Sequence, residues 1–331
     1  MSTATGDDRW LIAIDIDGTL VTDDGFLSDA VVEQVARVRS LGHEIVVATG
    51  RSAANAFPVI KDIGIQTGYA VCSNGAVTIE LHEAHERGFK AHEVITFDPK
   101  PVLTELIQAL PNAHFAVEDV DGTYRYHREF PAYALGDLNH ETPLEELTSL
   151  PVSRVVVLSP EHDAEEFGTM IDRLGLHSVS YAIGYTAWLD IAPSGVSKAS
   201  ALEKQRAELG IKPSQVITIG DGRNDIQMFE WARELGGYAF AMGQAPEEVR
   251  LAANEVPVAA VVYHDDMYVD AELSLDTAAR VDEMSWARIE RILRINVLGS
   301  FACAREAIQR MSTRHGGQGG AIVNLSSVAA R

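Results

Sequence analysis

Residues 11–20, Leu-Ile-Ala-Ile-Asp-Ile-Asp-Gly-Thr-Leu, place an apolar strand directly in front of two alternating carboxylates and a glycine turn. Residues two apart on a strand face the same side, so Asp15 and Asp17 are expected to project together where the apolar run ends. Carboxylates gathered at the end of a buried strand are costly unless something binds them. In open α/β sheets ligands bind at that end of the strands. An isolated Asp-x-Asp-Gly is explained equally well by a strand and an ordinary turn, so the rest of the chain has to decide.

Three further segments carry matching chemistry. Glu44-Ile-Val-Val-Ala-Thr49-Gly50-Arg51 is a second apolar strand, ending in a hydroxyl suited to donate to a phosphoryl oxygen. Ser194-Gly-Val-Ser197-Lys198 opens a helical stretch over 199–209 and sets a lysine in its first turn. A cation there opposes the helix dipole, so helix stability does not call for it, although a solvated surface lysine is the ordinary alternative. Gln215-Val-Ile-Thr-Ile-Gly220-Asp221-Gly222-Arg223-Asn224-Asp225 is a third apolar strand running into a glycine loop with two acids four residues apart. Asp225 is open to a second explanation as the cap of a helix over 226–234. Asp221, at the strand exit, has no such alternative.

Taken in order, these segments resemble the haloacid dehalogenase superfamily, and within it the Cof-type (IIB) phosphatases, over about residues 9–256. Ser73-Asn74-Gly75-Ala76, Leu189-Asp-Ile-Ala-Pro-Ser-Gly-Val-Ser-Lys198 and Ala241-Met-Gly-Gln-Ala-Pro246 add to the likeness, the last departing from the usual A-M-G-N-A. The resemblance implies an α/β fold: a Rossmann-like core with a parallel sheet, an inserted α/β cap of the C2 type, and a further C-terminal α/β fragment. The expected domains are 1–82 with 189–256 for the core, 83–188 for the cap and 257–331 for the fragment.

It also implies a Mg²⁺-dependent phosphatase that hydrolyses a small phosphorylated metabolite through an aspartyl-phosphate. Asp15 would be the nucleophile and Asp17 the general acid and base. Thr49 and the backbone amides near Gly18 and Gly50 would hold the transferring oxygens, with Lys198 neutralising charge. Mg²⁺ would be held by Asp15, the carbonyl of Asp17 and Asp221, supported by Asn224 or Asp225. Arg51 and Asn74 either touch substrate or shape the loop. A phosphotransferase or phosphomutase would use the same Asp15 chemistry with an alcohol in place of water, and the motifs do not separate these.

The formal net charge of −21 over 331 residues disfavours nucleic acid and anionic membranes as partners. It also makes a phosphate pocket depend more heavily on its cation. No secretory signal and no run long enough to span a bilayer is visible, and two cysteines, Cys72 and Cys303, fit a reducing compartment, so a cytoplasmic location is expected.

The cap region is expected to hold strands at 93–97, 113–119, 153–159 and 178–183 and helices at 99–110 and 161–174. A mobile cap would exclude water and recognise the substrate beyond its phosphate. Glu118, Arg125, Tyr185 and Trp188 are candidate contacts that packing explains as well. His82, His85 and His92 read as a solvated connector, their spacing being irregular for a metal site.

After about Val256 the chain changes character. Asn296-Val-Leu-Gly299 and Asn324-Leu-Ser-Ser327 resemble the middle of a short-chain dehydrogenase/reductase. No glycine-rich dinucleotide loop of that family precedes them, and no Tyr-x-x-x-Lys follows, so an oxidoreductase lacks both its cofactor bed and its proton donor. The apolar stripe over 284–312 must be buried on the core, on a second subunit through self-association, or on nothing ordered. A catalytically silent fusion is the remaining alternative.

Overall fold

The computed structural model describes residues 9–253, except 23, 132, 133, 137, 177, 178, 184–186 and 244. The expected dehydrogenase-like fragment over 257–331, and Tyr185, lie outside the described residues. In chain order the first half holds β1 (Leu11–Ile14), α1 (Asp29–Ser40), β2 (Glu44–Ala48), α2 (Ala53–Asp62), β3 (Gly68–Cys72), β4 (Val77–Leu81), β5 (Phe89–Val94), α3 (Lys100–Ala109), β6 (His114–Glu118), β7 (Tyr124–Tyr126) and β8 (Asn139–Glu141). The second half continues with β9 (Arg154–Leu158), α4 (Ala164–Leu174), β10 (Val179–Ile183), β11 (Trp188–Pro193), α5 (Lys198–Glu208), β12 (Val216–Gly220), α6 (Ile226–Glu234), β13 (Tyr238–Ala241) and α7 (Glu247–Ala252). These elements fall into two compact units, which among the described residues are 9–45 with 206–253, and 46–205.

In the first unit β13, β12 and β1 lie side by side and parallel, with Leu11 opposite Val216 and Ile217 opposite Tyr238. Every residue of β1 is apolar and buried, the pattern that coverage of both sheet faces selects. Helix α1 starts where the Ser28 hydroxyl accepts the Val31 amide, and it buries Val31, Val35 and Val38 at helical spacing.

The second unit holds β2 parallel to β3, followed by the antiparallel run β3-β4-β5. It also holds a six-stranded sheet in the order β10-β11-β9-β6-β7-β8, antiparallel apart from the β7–β8 pair. Period-two alternation gives this sheet two different faces. Phe115, Val117, Val155, Val157, Leu189 and Ile191 form one core with Leu103 and Leu106 of α3 and Phe167 and Ile171 of α4. Ala116, Tyr124 and Val156 form another with Phe130 and Leu135.

The strands expected at 113–119, 153–159 and 178–183 and the helix expected at 161–174 are present with shorter bounds. Helix α4 starts at its Asp163 cap, which accepts the amides of Glu165 and Glu166, and ends on the left-handed Gly175. The strand expected at 93–97 is instead β5, ending at Val94, because its pairing with β4 runs back to Phe89 opposite Leu81. Phe97 pairs separately with Val152 through two backbone bonds of 2.9 and 3.0 Å. Strands β7, β8 and β11 were not expected as members of this sheet. No described helix is long and apolar enough to cross a membrane.

Phe115 is 1% exposed in the centre of the helix-side core. Phe115→Ala is therefore expected to cost about 3–5 kcal/mol in urea unfolding, whereas Val120→Ala, at a site 57% exposed, should stay within about 0.5 kcal/mol of wild type.

Candidate active site

Regular strand geometry stops at Ile14, so the expected pairing of Asp15 and Asp17 on one strand face is replaced by a turn: Asp15 is 5% exposed and Asp17 lies open to solvent. The amides of Thr19, Leu20 and Val21 all converge on the Ile16 carbonyl. Gly18 enters the left-handed region at φ +70°, and a Cβ there would run into the Asp221 carboxylate. Thr19, to which no role was assigned from sequence, donates its hydroxyl to Asp221 Oδ1 at 3.0 Å.

Strand β12 brings Asp221 to the same end of the sheet. Ile14 sits opposite Ile219, and the Asp15 amide donates to the Ile219 carbonyl at 3.0 Å. Asp225 follows in the short 3₁₀ turn Arg223–Asp225 that also carries Asn224. Its side chain does not cap α6. Asp225 is fully buried, and its Oδ2 accepts the amides of Asp221 at 3.0 Å and Gly222 at 2.9 Å, tying the glycine loop to itself. Asp15, Asp221 and Asp225 each offer an oxygen within 4.8 Å of the others. Three hard oxygen donors, two of them withdrawn from water, fit a divalent cation. Among the described residues this is the one group of three or more acidic, histidine or cysteine side chains placed to hold a metal. The histidines do not gather: His82 and His85 rings lie 5.7 Å apart, while His92 packs on Tyr69.

The remaining candidates belong to the second unit. The Thr49 hydroxyl, fully buried, accepts the Arg51 amide at 3.1 Å. The Asn74 amide donates to the Thr49 carbonyl at 3.1 Å and the Ser73 amide to the Arg51 carbonyl at 2.8 Å, so the loop after β2 and the turn after β3 are stitched together. Arg51 also reaches the Asn55 carbonyl at 3.4 Å. Lys198 opens α5 and is 1% exposed, which sets aside a solvated surface role. Capping is performed by its neighbours, since Ser197 and Ser200 exchange amide-to-hydroxyl bonds of 2.9 and 3.2 Å. Of the other candidate contacts, Arg125 pairs with Asp119 at 2.8 Å, and the Trp188 indole donates to Asp190 at 3.0 Å.

A family model described as haloacid dehalogenase-like hydrolase matches residues 12–260, and one described as short chain dehydrogenase matches residues 274–331. The chain is 29% identical over 267 residues to a pyridoxal phosphate phosphatase of Escherichia coli, covering 74% of this chain and 92% of the relative. It is 26% identical over 251 residues to a 5-amino-6-(5-phospho-D-ribitylamino)uracil phosphatase of Bacillus subtilis, covering 74% and 90%. An uncharacterized oxidoreductase of Escherichia coli is 53% identical over 57 residues, which is 17% of this chain and 23% of that relative. Among solved structures, a HAD subclass IIB sugar phosphatase superposes with a TM-score of 0.61 at 20% identity, over 74% of this chain and 92% of the other.

A divalent cation at about 100 times its Kd should stabilise the protein by about 2.7 kcal/mol, seen as a rise in Tm with Mg²⁺ or Mn²⁺. Asp221→Asn and Asp225→Asn are expected to remove most of that rise, while Asp17→Asn, outside the three-carboxylate group, should keep it.

Proposed function

We infer the activity from the family to which this chain belongs, the haloacid dehalogenase-like hydrolases: it is a phosphatase, and we propose that it is Mg²⁺-dependent and acts on a small phosphorylated metabolite. The observation that carries this is the gathering of Asp15, Asp221 and Asp225 at the carboxyl ends of adjacent parallel strands.

In this reading Asp15 attacks phosphorus in line and the leaving oxygen departs, which divides one difficult hydrolysis into formation and hydrolysis of an aspartyl-phosphate. Asp17, exposed beside the turn, gives a proton to the leaving oxygen and then takes one from the attacking water. Bound Mg²⁺, held by Asp15, the Asp17 carbonyl and Asp221 with Asn224 and Asp225 in support, supplies the charge neutralisation that lets a dianionic phosphate approach a carboxylate. Thr49, with the amides near Gly18 and Gly50, holds the phosphoryl oxygens, and Lys198 contributes the second positive charge. Arg51 and Asn74 line the substrate side. Residues 1–82 with 189–256 serve as the hydrolase core and 83–188 as its cap. The named activities of the pyridoxal phosphate and ribitylaminouracil phosphate relatives support a phosphorylated metabolite of that size.

A phosphate-release screen across phosphorylated metabolites tests this. Release should require Mg²⁺ and fall by at least about 10⁴-fold in Asp15→Asn, which keeps the shape and removes the nucleophile. Equal rates from Asp15→Asn and wild type would remove the proposed chemistry. Transfer to added alcohols at the expense of free phosphate would favour the phosphotransferase form of the same mechanism.

A further inference from the structure

The second unit contains a buried polar chain that the proposed chemistry leaves without a task. It starts at Glu118, fully buried at the end of β6, whose Oε2 accepts the Ser73 hydroxyl at 2.8 Å and the Tyr124 hydroxyl at 3.1 Å. Arg154, 6% exposed on β9, donates from Nη1 to the Tyr124 oxygen at 3.0 Å and to the Gly50 carbonyl at 2.7 Å. Its Nε and Nη2 both reach Asp190 Oδ1. The other Asp190 oxygen accepts the Asn74 side-chain amide at 3.3 Å, and the Trp188 indole donates to Oδ1 at 3.0 Å.

Both ends of this chain grip strained backbone. Ser73 and Asn74 are consecutive non-glycine residues in the left-handed region, at φ 49° and 53°. Such conformations persist only where the surroundings over-determine them. Here the Ser73 side chain is held by Glu118 and the Asn74 side chain by Asp190. Both amides are held by carbonyls of the Thr49–Arg51 loop. Gly75, at φ 101°, leaves no room for a Cβ against the Ser197 carbonyl. Burial pushes the Glu118 carboxyl above the usual carboxylate range, and the Arg154 charge opposes that rise.

We propose that Arg154 is a positioning residue: it fixes the Gly50 carbonyl directly and the Asn74 side chain through Asp190, so that the loop after β2 and the turn after β3 keep one arrangement for the phosphate they would hold. What those loops hold rests on the phosphatase reading above; that Arg154 orders them does not. The guanidinium is the required shape. One edge addresses Asp190 while the remaining nitrogen turns to Gly50 and Tyr124, a spread that a lysine ammonium on a flexible stem does not reproduce.

The test uses the full chain with Arg154→Met, Arg154→Lys and the milder Asp190→Asn. On p-nitrophenyl phosphate, Arg154→Met is expected to lose about 10²-fold in kcat, the scale of a 1 Å misplacement. Arg154→Lys should stay low, and millimolar guanidinium ion should restore part of the Arg154→Met rate. Independently of turnover, hydrogen exchange at the Ser73 and Asn74 amides should quicken at least about tenfold in Arg154→Met and Asp190→Asn, with the β6 and β9 amides unchanged. Should Arg154→Met not fold, Asp190→Asn decides alone, because it keeps the size of the side chain and removes the charge that pairs with Arg154. Wild-type exchange at Ser73 and Asn74 in a folded variant overturns the inference. An inactive wild type whose variants nonetheless show the faster exchange would overturn the phosphatase reading and leave this one standing.

Discussion

Repulsion among Asp15, Asp221 and Asp225 is the constraint around which the first unit is arranged. Within 4.8 Å of one another, and at an effective dielectric of about 20, each pair of ionised carboxylates would oppose the fold by at least about 3 kcal/mol. The chain sets part of the offset in place before any cation arrives. Asp225 receives two backbone amides and Asp221 receives the Thr19 hydroxyl. Gly18 is bare where a side chain would displace the Asp221 carboxylate. These donors serve two of the carboxylates without carrying a charge of their own, and the oxygens so gathered fit a divalent cation. A formal net charge of −21 sets any phosphate-binding group in a field that otherwise repels phosphate.

The parts of this arrangement that sequence made legible are those in which local order and chemistry coincide. A strand that is apolar at every position and then abruptly acidic announces both a sheet buried on both faces and its functional end, so the β1 and β12 exits could be located without coordinates. Asp17 was harder, because period-two reasoning carries the strand through residue 17, whereas the carbonyl of Ile16 gathers three amides and turns the chain first. Lys198 showed as anomalous through its clash with the helix dipole; its burial depends on packing that no local pattern encodes. The limits of β5 were hidden for a related reason, since a strand ends where its partner's register ends, and Leu81 opposite Phe89 is a pairing choice.

The network that joins Glu118, Arg154 and Asp190 was opaque for a different physical reason. Arg154 opens an apolar strand, Glu118 closes one and Asp190 lies inside one, and each is bonded far along the chain, Glu118 across 45 residues to Ser73 and Arg154 across 36 to Asp190 and 104 to Gly50. A charged residue in Val152-Ser-Arg154-Val-Val-Val157 or Leu189-Asp190-Ile191 contradicts the hydrophobic pattern. Such a contradiction survives only if the partner is buried with it. The signal was therefore present as an inconsistency: three ionisable side chains inside one sheet, in a network where Arg154 bonds Asp190 directly and reaches Glu118 through Tyr124. Only the sheet order β11-β9-β6 shows that they are neighbours.

The two family matches meet between residues 260 and 274, and they make unequal demands on the chain. The phosphatase chemistry proposed above draws on residues between Asp15 and Asp225, all within the first match. A dehydrogenase site needs a dinucleotide bed and a tyrosine-lysine pair, and the 58 residues of the second match contain neither a tyrosine nor a lysine. Chemistry follows the groups present. A resemblance of 53% across 23% of an oxidoreductase weighs less for activity than one of 29% across 92% of a phosphatase, because the first covers only a small part of its relative.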